Sequence, residues 1–261
     1  MPRRYRATVE YDGTDFAGFQ VQRRGLRTVQ GELEAALARL SDGVRQPVDG
    51  AGRTDAGVHA AGQVIGFTYA GRLDAEALEA GLNGLLPPDI AIRGVRRTQP
   101  GFHPRRAARS REYRYTVWNG PRSPLRERQA LGVRVPLDVA AMERAGQAFV
   151  GRHDFRAFGA VVGDRTPVRT VHAVRVRRQG ALVTIDVRAD AFLRGMVRRM
   201  VAVLLEAGKG NMNEEEIRAA LAARTPARNG AAAPARGLCL RRVVLGRRPG
   251  QERATEMTGE R

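Results

Sequence analysis

VHAVRVRRQGALVTIDVR, residues Val171–Arg188, sets the architecture. Apolar residues alternate with polar ones on both sides of Gln179-Gly180. A period of two puts one apolar row on one face of a strand, and glycine lets the chain reverse. The stretch therefore reads as a hairpin with Val171–Arg177 and Leu182–Arg188 as its arms. Helical periodicity flanks it, at Asp138–Val150 before and at Phe192–Ala207 and Asn213–Ala223 after. Asn213 and Glu216 have the spacing of a capping box. Glu112–Trp118 and Leu238–Leu245 read as strands, with Leu131–Val135 as an accessory one.

Upstream, Tyr5–Tyr11 reads as a strand and Thr28–Leu40 as a helix with Thr28 as N-cap. Val44–Asp49 is a short strand, held to an edge or an irregular form by Pro47. Gly62–Tyr69 is another strand. Asp74–Leu86 is a helix capped by Asp74 and stopped by Pro87-Pro88, and Ile90–Val95 follows as a strand. The order is β-α-β-β-α-β, the split βαβ arrangement, and the second half repeats it more loosely. The expected fold is α+β: two ferredoxin-like (βαββαβ) halves forming an extended antiparallel sheet, with helices on one side and the active site in a central basic cleft. The halves are expected at residues 1–104 and 105–248, joined near Arg97–Arg109. A flexible tail is expected at 249–261, and an Ala/Pro/Arg-rich loop at Thr225–Arg236.

Composition narrows the function classes. The 261 residues carry 45 Lys+Arg against 27 Asp+Glu, a formal net charge of +18. Lys209 is the one lysine, so arginine supplies the rest. That skew between the two cations fits codon bias, but bias between Arg and Lys cannot create the net charge. A basic chain with 43% hydrophobic residues is expected to fold and to bind a polyanion, nucleic acid first. No stretch approaches 18 apolar residues, and the N-terminus has no apolar core of a signal peptide, so no membrane partner is expected. A lone cysteine, Cys239, cannot form an internal disulfide and fits a reducing compartment.

GAGRTDAGVH, Gly50–His59, is the segment where chemistry is expected. Its glycines permit sharp turns and close approach to a ligand. Arg53 stands two residues from Asp55, and a nearby guanidinium keeps a partly buried carboxylate ionised. Such a carboxylate can act as nucleophile or base at a sugar carbon. The same composition is met, and met more often, by a glycine-rich connection bearing a surface ion pair. No G-x-G-x-x-G follows a strand, and no P-loop occurs. Only Asp55 stands out as a carboxylate, against a paired-carboxylate glycosidase. His59, His103, His153 and His172 lack metal-ligand spacing, so no metal is expected. On a helical wheel Leu193, Met196, Val197, Met200, Val201 and Leu204 form an apolar arc with Arg194 and Arg198 at its edge.

GRTDAGVH (Gly52–His59) read with its surroundings resembles the tRNA pseudouridine synthase A family. YDGTDFAGFQVQ (Tyr11–Gln22), NGLLPPDI (Asn83–Ile90) and FHPRRAARSREYRYTVWN (Phe102–Asn119) resemble it too. So do GRHDFRAF (Gly151–Phe158), DAFLRGMVRRMV (Asp190–Val201) and ARGLCL (Ala235–Leu240), in the family's order across roughly residues 5–245. The resemblance implies that Asp55 is the catalytic residue and that Arg53 contacts RNA and helps hold the flipped-out site. It implies that Tyr113 stacks on the target uracil, Arg198 pairs with the carboxylate, and Leu238 lines the uracil pocket. Arg111 and Arg114, beside Tyr113, are expected to reach phosphates. The implied activity is isomerisation of uridine to pseudouridine at positions 38, 39 and 40 in the anticodon stem-loop of tRNA. No cofactor is implied, and a cytoplasmic homodimer is. Another RNA target, or a non-catalytic basic RNA-binding protein, are the rival expectations. Departures from the family pattern fall at Phe16, Phe19, Arg194-Gly195, Arg199 and Cys239, none at an assigned catalytic group.

Overall fold

The computed structural model describes residues 2–22, 25–163, 166–225 and 231–246. The elements run β1 (Arg3–Tyr11), α1 (Val29–Arg39), β2 (Val48–Gly50), β3 (His59–Tyr69), α2 (Ala75–Leu85) and β4 (Ile90–Arg97). Then come α3 (Pro104–Ala107), β5 (Ala108–Trp118), β6 (Leu131–Gly132), α4 (Val139–Gly146) and β7 (Gly151–Asp154). The chain continues through β8 (Val168–Gln179), β9 (Leu182–Ala189), α5 (Met196–Gly208), α6 (Glu214–Ala223) and β10 (Leu238–Leu245). The caps read at Thr28 and Asp74 form, each side chain accepting from a backbone N–H in the first turn of α1 or α2, and Asp138 caps α4 in the same way. Asn213 and Glu216 make both bonds of a capping box on α6.

The architecture is mixed α+β, with a ten-stranded, mostly antiparallel open sheet in the order β4-β1-β3-β10-β5-β9-β8-β7. β2 pairs with β3, and β6 with β5. The sequence reading expected an antiparallel sheet, and two pairs depart from it: β10 runs parallel to β3, and β6 parallel to β5. Alternation decides which side packs. Tyr5, Ala7, Val9 and Tyr11 of β1, and Tyr113, Tyr115 and Val117 of β5, are all buried, while most residues between them are not.

Several bounds differ from the sequence reading for local reasons. β3 begins at His59 rather than Gly62, so the Gly-rich connection shortens to residues 51–58. β2 holds only three residues, after Pro47. α5 begins at Met196, because Gly195 ahead of it adopts a left-handed φ of 71°. β7 is four residues of mostly polar sequence with no alternation to announce it. Of the expected Thr225–Arg236 loop, residues 226–230 lie outside the described residues, as does the tail at 249–261.

β10 is bonded to β3 on one side and β5 on the other. Gly62 permits that approach: a Cβ there would lie 2.3 Å from the Arg241 carbonyl oxygen. Gly62→Ala is expected to destabilise the protein by about 1–3 kcal/mol through overpacking. The measurement is the urea midpoint at constant m-value. An unchanged midpoint would mean that the seam absorbs the methyl.

Candidate active site

Residues 51–58 carry Asp55, and this loop is pinned almost peptide by peptide. Ala51 N–H donates to the Val64 carbonyl (2.8 Å). Gln63 has no exposed surface; its Oε1 accepts from Gly52 N–H (3.3 Å) and its Nε2 donates to Gly52 O (2.8 Å). The Tyr11 hydroxyl and Thr54 Oγ1 are hydrogen-bonded at 2.8 Å. The segment after β1 wraps the other side. Phe19 N–H donates to Thr54 O (3.1 Å) and Gly57 N–H to Phe16 O (3.3 Å). Gly18, with φ of 111°, passes so close that a Cβ would sit 2.8 Å from Thr54 O. His59 ties the far end: its Nδ1 accepts from Gly13 N–H (3.0 Å), which assigns the Nε2 proton to the Arg236 carbonyl (3.0 Å).

A cavity of about 520 Å³ opens beside this loop, within the range of small-ligand sites. Arg53, Asp55, Tyr113, Arg198 and Leu238, which the sequence scatters over 186 positions from Arg53 to Leu238, all line it. Tyr113 projects from the buried face of β5 and meets Phe192 edge to face, ring centroids 5.3 Å apart. Leu238 is the buried first residue of β10. Arg198 lies in the first turn of α5. Its Nη1 is 3.9 Å from Asp55 Oδ2, an ion pair too long for a hydrogen bond. Its Nε donates to Ala233 O (2.6 Å), while Ala233 N–H donates to the Arg198 carbonyl (3.0 Å). The Asp55 side chain is 39% exposed, open to the cavity. Arg53 is exposed on the rim and has no hydrogen bond or ion pair among the described residues.

Three arginines behave differently from the sequence reading. Arg194 lies ahead of α5 rather than on it, and its carbonyl accepts from Ala160 N–H (3.0 Å). Arg114 sits outside this cavity: on a strand, neighbouring side chains point to opposite faces, and it forms a bidentate pair with Asp186 at 2.7 and 2.9 Å. Arg111 does line the cavity, but its guanidinium donates to four backbone carbonyls. Sequence reasoning missed Gln63 and Phe192 as parts of the site, and it expected Arg111 there as a phosphate contact rather than bonded to backbone. Gln63 did carry a signal, an amide within an otherwise apolar strand; Phe192 and the acceptors of Arg111 needed the fold. Among the described residues no three His, Cys, Asp or Glu side chains gather as a metal site.

A family model described as tRNA pseudouridine synthase matches residues 7–105 and 145–244. A tRNA pseudouridine synthase A from Geobacter sulfurreducens is 43% identical over 245 residues, covering 92% of this chain and 99% of that protein. One from Pelobacter propionicus is 45% identical, covering 91% and 98%. One from Moorella thermoacetica is 46% identical, covering 90% and 97%.

Burial raises the phenol pKa values of Tyr11, Tyr113 and Tyr115 above the ordinary 10.0. At Tyr113 the Arg111 charge opposes the shift, while Asp55 and Cys239 add to it. A raised pKa means the folded state favours the neutral phenol. The resulting stability is complete below about pH 10 and is lost as pH climbs further. Alkaline titration is expected to show these phenols ionising together with unfolding, followed by tyrosinate absorbance alongside circular dichroism. Ionisation of all five tyrosines before any loss of structure would contradict it.

Proposed function

Because this chain belongs to the tRNA pseudouridine synthase A family, we propose that it isomerises uridine to pseudouridine at positions 38, 39 and 40 of the tRNA anticodon stem-loop. The enzyme is an isomerase of tRNA. The observation that carries the site assignment is the single cavity shared by Asp55, Tyr113, Arg198, Arg53 and Leu238.

The reaction moves one bond. The ribose C1′ to uracil N1 bond breaks, the base turns, and a C1′ to C5 bond forms. C5 loses its proton and N1 gains one, so no electrons enter or leave and no cofactor is required. Asp55 carries the chemistry, as nucleophile at C1′, as nucleophile on the uracil ring, or as the base that removes a ribose proton to give a glycal. Arg198 faces the carboxylate as an ion pair at 3.9 Å and orients it. Tyr113 supplies a π-face for the extracted base, a contact worth about 1–3 kcal/mol against an unstacking cost of a few kcal/mol. Its phenol stays neutral, because burial disfavours the phenolate. Leu238 closes the apolar side of the pocket. Arg53, free on the rim, suits a phosphate.

The strand order supports reading the chain as two ferredoxin-like halves, residues 1–104 and 105–248, with helices on one side and a central basic cleft. Each half orders its strands alike: β4-β1-β3-β2 in the first and β10-β5-β9-β8 in the second. The one-sided burial of β1 and β5 supports helices on one face. The partner is tRNA. A homodimer in the cytoplasm is the reading by family, and no helix among the described residues is long and apolar enough to cross a membrane.

Tritium release from tRNA labelled at uracil C5 measures the reaction directly. Wild-type protein is expected to release label from positions 38, 39 and 40, and Asp55→Ala to release none. Release from Asp55→Ala would overturn the catalytic assignment. Release only from outside the anticodon arm, or no release from wild type, would overturn the target or the enzyme. Tyr113→Phe, which keeps the ring, is expected to retain activity. Binding of tRNA is expected to weaken with salt, each neutralised phosphate steepening the log–log slope by about 0.7–0.9.

A further inference from the structure

Arg111 stands two residues before Tyr113 on the same face of β5. Its Nη1 donates to the carbonyls of Asp190 (2.7 Å) and Ala108 (3.4 Å). Its Nη2 donates to those of Ala51 (2.9 Å) and Arg105 (3.2 Å). The four acceptors come from separate segments. Ala51 opens the Asp55 loop, Asp190 opens the connection to α5, Arg105 belongs to α3, and Ala108 begins β5. The Asp190 carboxylate fixes that connection further, accepting from the N–H groups of Thr170 and Ala191. None of the four acceptors of Arg111 is a carboxylate, so this partly buried cation is solvated by peptide dipoles. Burial accordingly lowers its pKa, with Tyr113 and Asp190 opposing the shift. An apolar side chain would fill the same space without that desolvation cost. What it could not do is bind two loops at once, and a planar guanidinium presents two nitrogens in a fixed fork that can.

We propose that Arg111 is a positioning residue: it clamps the Asp55 loop to the β9–α5 connection, setting where Asp55 meets Arg198 and the substrate. Asp55 is carried by the first half of the chain and Arg198 by the second. Gln63, Tyr11 and the segment after β1 hold the Asp55 loop only to its own half. Arg111 reaches the same loop from the second half, directly beneath the cavity that both loops line. This rests on Asp55 being the catalytic group. It differs from a phosphate contact, because the donors are already engaged with backbone.

The test compares Arg111→Gln and Arg111→Lys with wild type in steady-state pseudouridine formation and in amide hydrogen exchange. For Arg111→Gln, kcat is expected to fall about 10- to 100-fold, the scale of a displaced catalytic group. KM and the salt slope of tRNA binding are expected to hold. Exchange across residues 51–56 is expected to quicken. Arg111→Lys keeps the charge but loses the fork, so it is expected to fall in kcat as well, and it serves if Arg111→Gln does not fold. A raised KM with a shallower salt slope and unchanged kcat would make Arg111 an RNA contact and overturn the clamp. Full rescue by lysine, or unchanged kcat and exchange, would overturn it too. If wild type forms no pseudouridine, the functional reading fails, while the exchange comparison still judges the clamp.

Discussion

β10 is hydrogen-bonded on both edges, parallel to β3 and antiparallel to β5, and the site depends on that insertion. β10 thereby joins β3, which follows the Asp55 loop, to β5, which carries Tyr113. Leu238 enters the cavity because it is the residue where β10 starts. The segment before it is held from three sides: Tyr115 Oη–H donates to Pro234 O, Arg198 to Ala233 O, and His59 to Arg236 O. Those bonds link β5, α5 and β3 to one stretch of chain. The cavity has walls from distant parts of the chain, so each wall must be fixed separately.

The Asp55 loop shows how that fixing is done. Backbone polar groups away from water need partners, and here Gln63, Val64, Phe19 and Arg111 supply them. A loop whose peptides are bonded on all sides has little freedom to wander, so the carboxylate can stay partly exposed without becoming loosely placed. The constraint also explains the glycines at 18 and 57. At Gly18 a side chain would strike the Thr54 carbonyl, and Gly57 turns at φ of 75°.

Arginine serves two purposes in this protein. Arg4 pairs with Asp49, Arg27 with Asp89, Arg45 with Glu34 and Arg114 with Asp186, so part of the cationic side chain count is committed within the fold. Arg111 and Arg198 bond backbone carbonyls. Arg53 and Arg194 are exposed at the cavity. The +18 excess is a property of the whole chain, and only its placement distinguishes a binding cation from a structural one.

Much of this was legible in the sequence. Alternation in β8 and β9 and the caps at Thr28, Asp74 and Asn213 are local, set by residues near one another in the chain. GRTDAGVH and the ordered segments around it identified the family for the same reason, as local patterns. What the sequence did not determine was long-range. The parallel join of β3 to β10 brings together residues 59 and 239, and no local periodicity encodes a partner that distant. Arg111 and Arg114 are three apart and chemically identical, yet one bonds carbonyls beneath the cavity and the other bonds Asp186 outside it. Strand pleat sends them to opposite faces, and tertiary packing decides what each face meets.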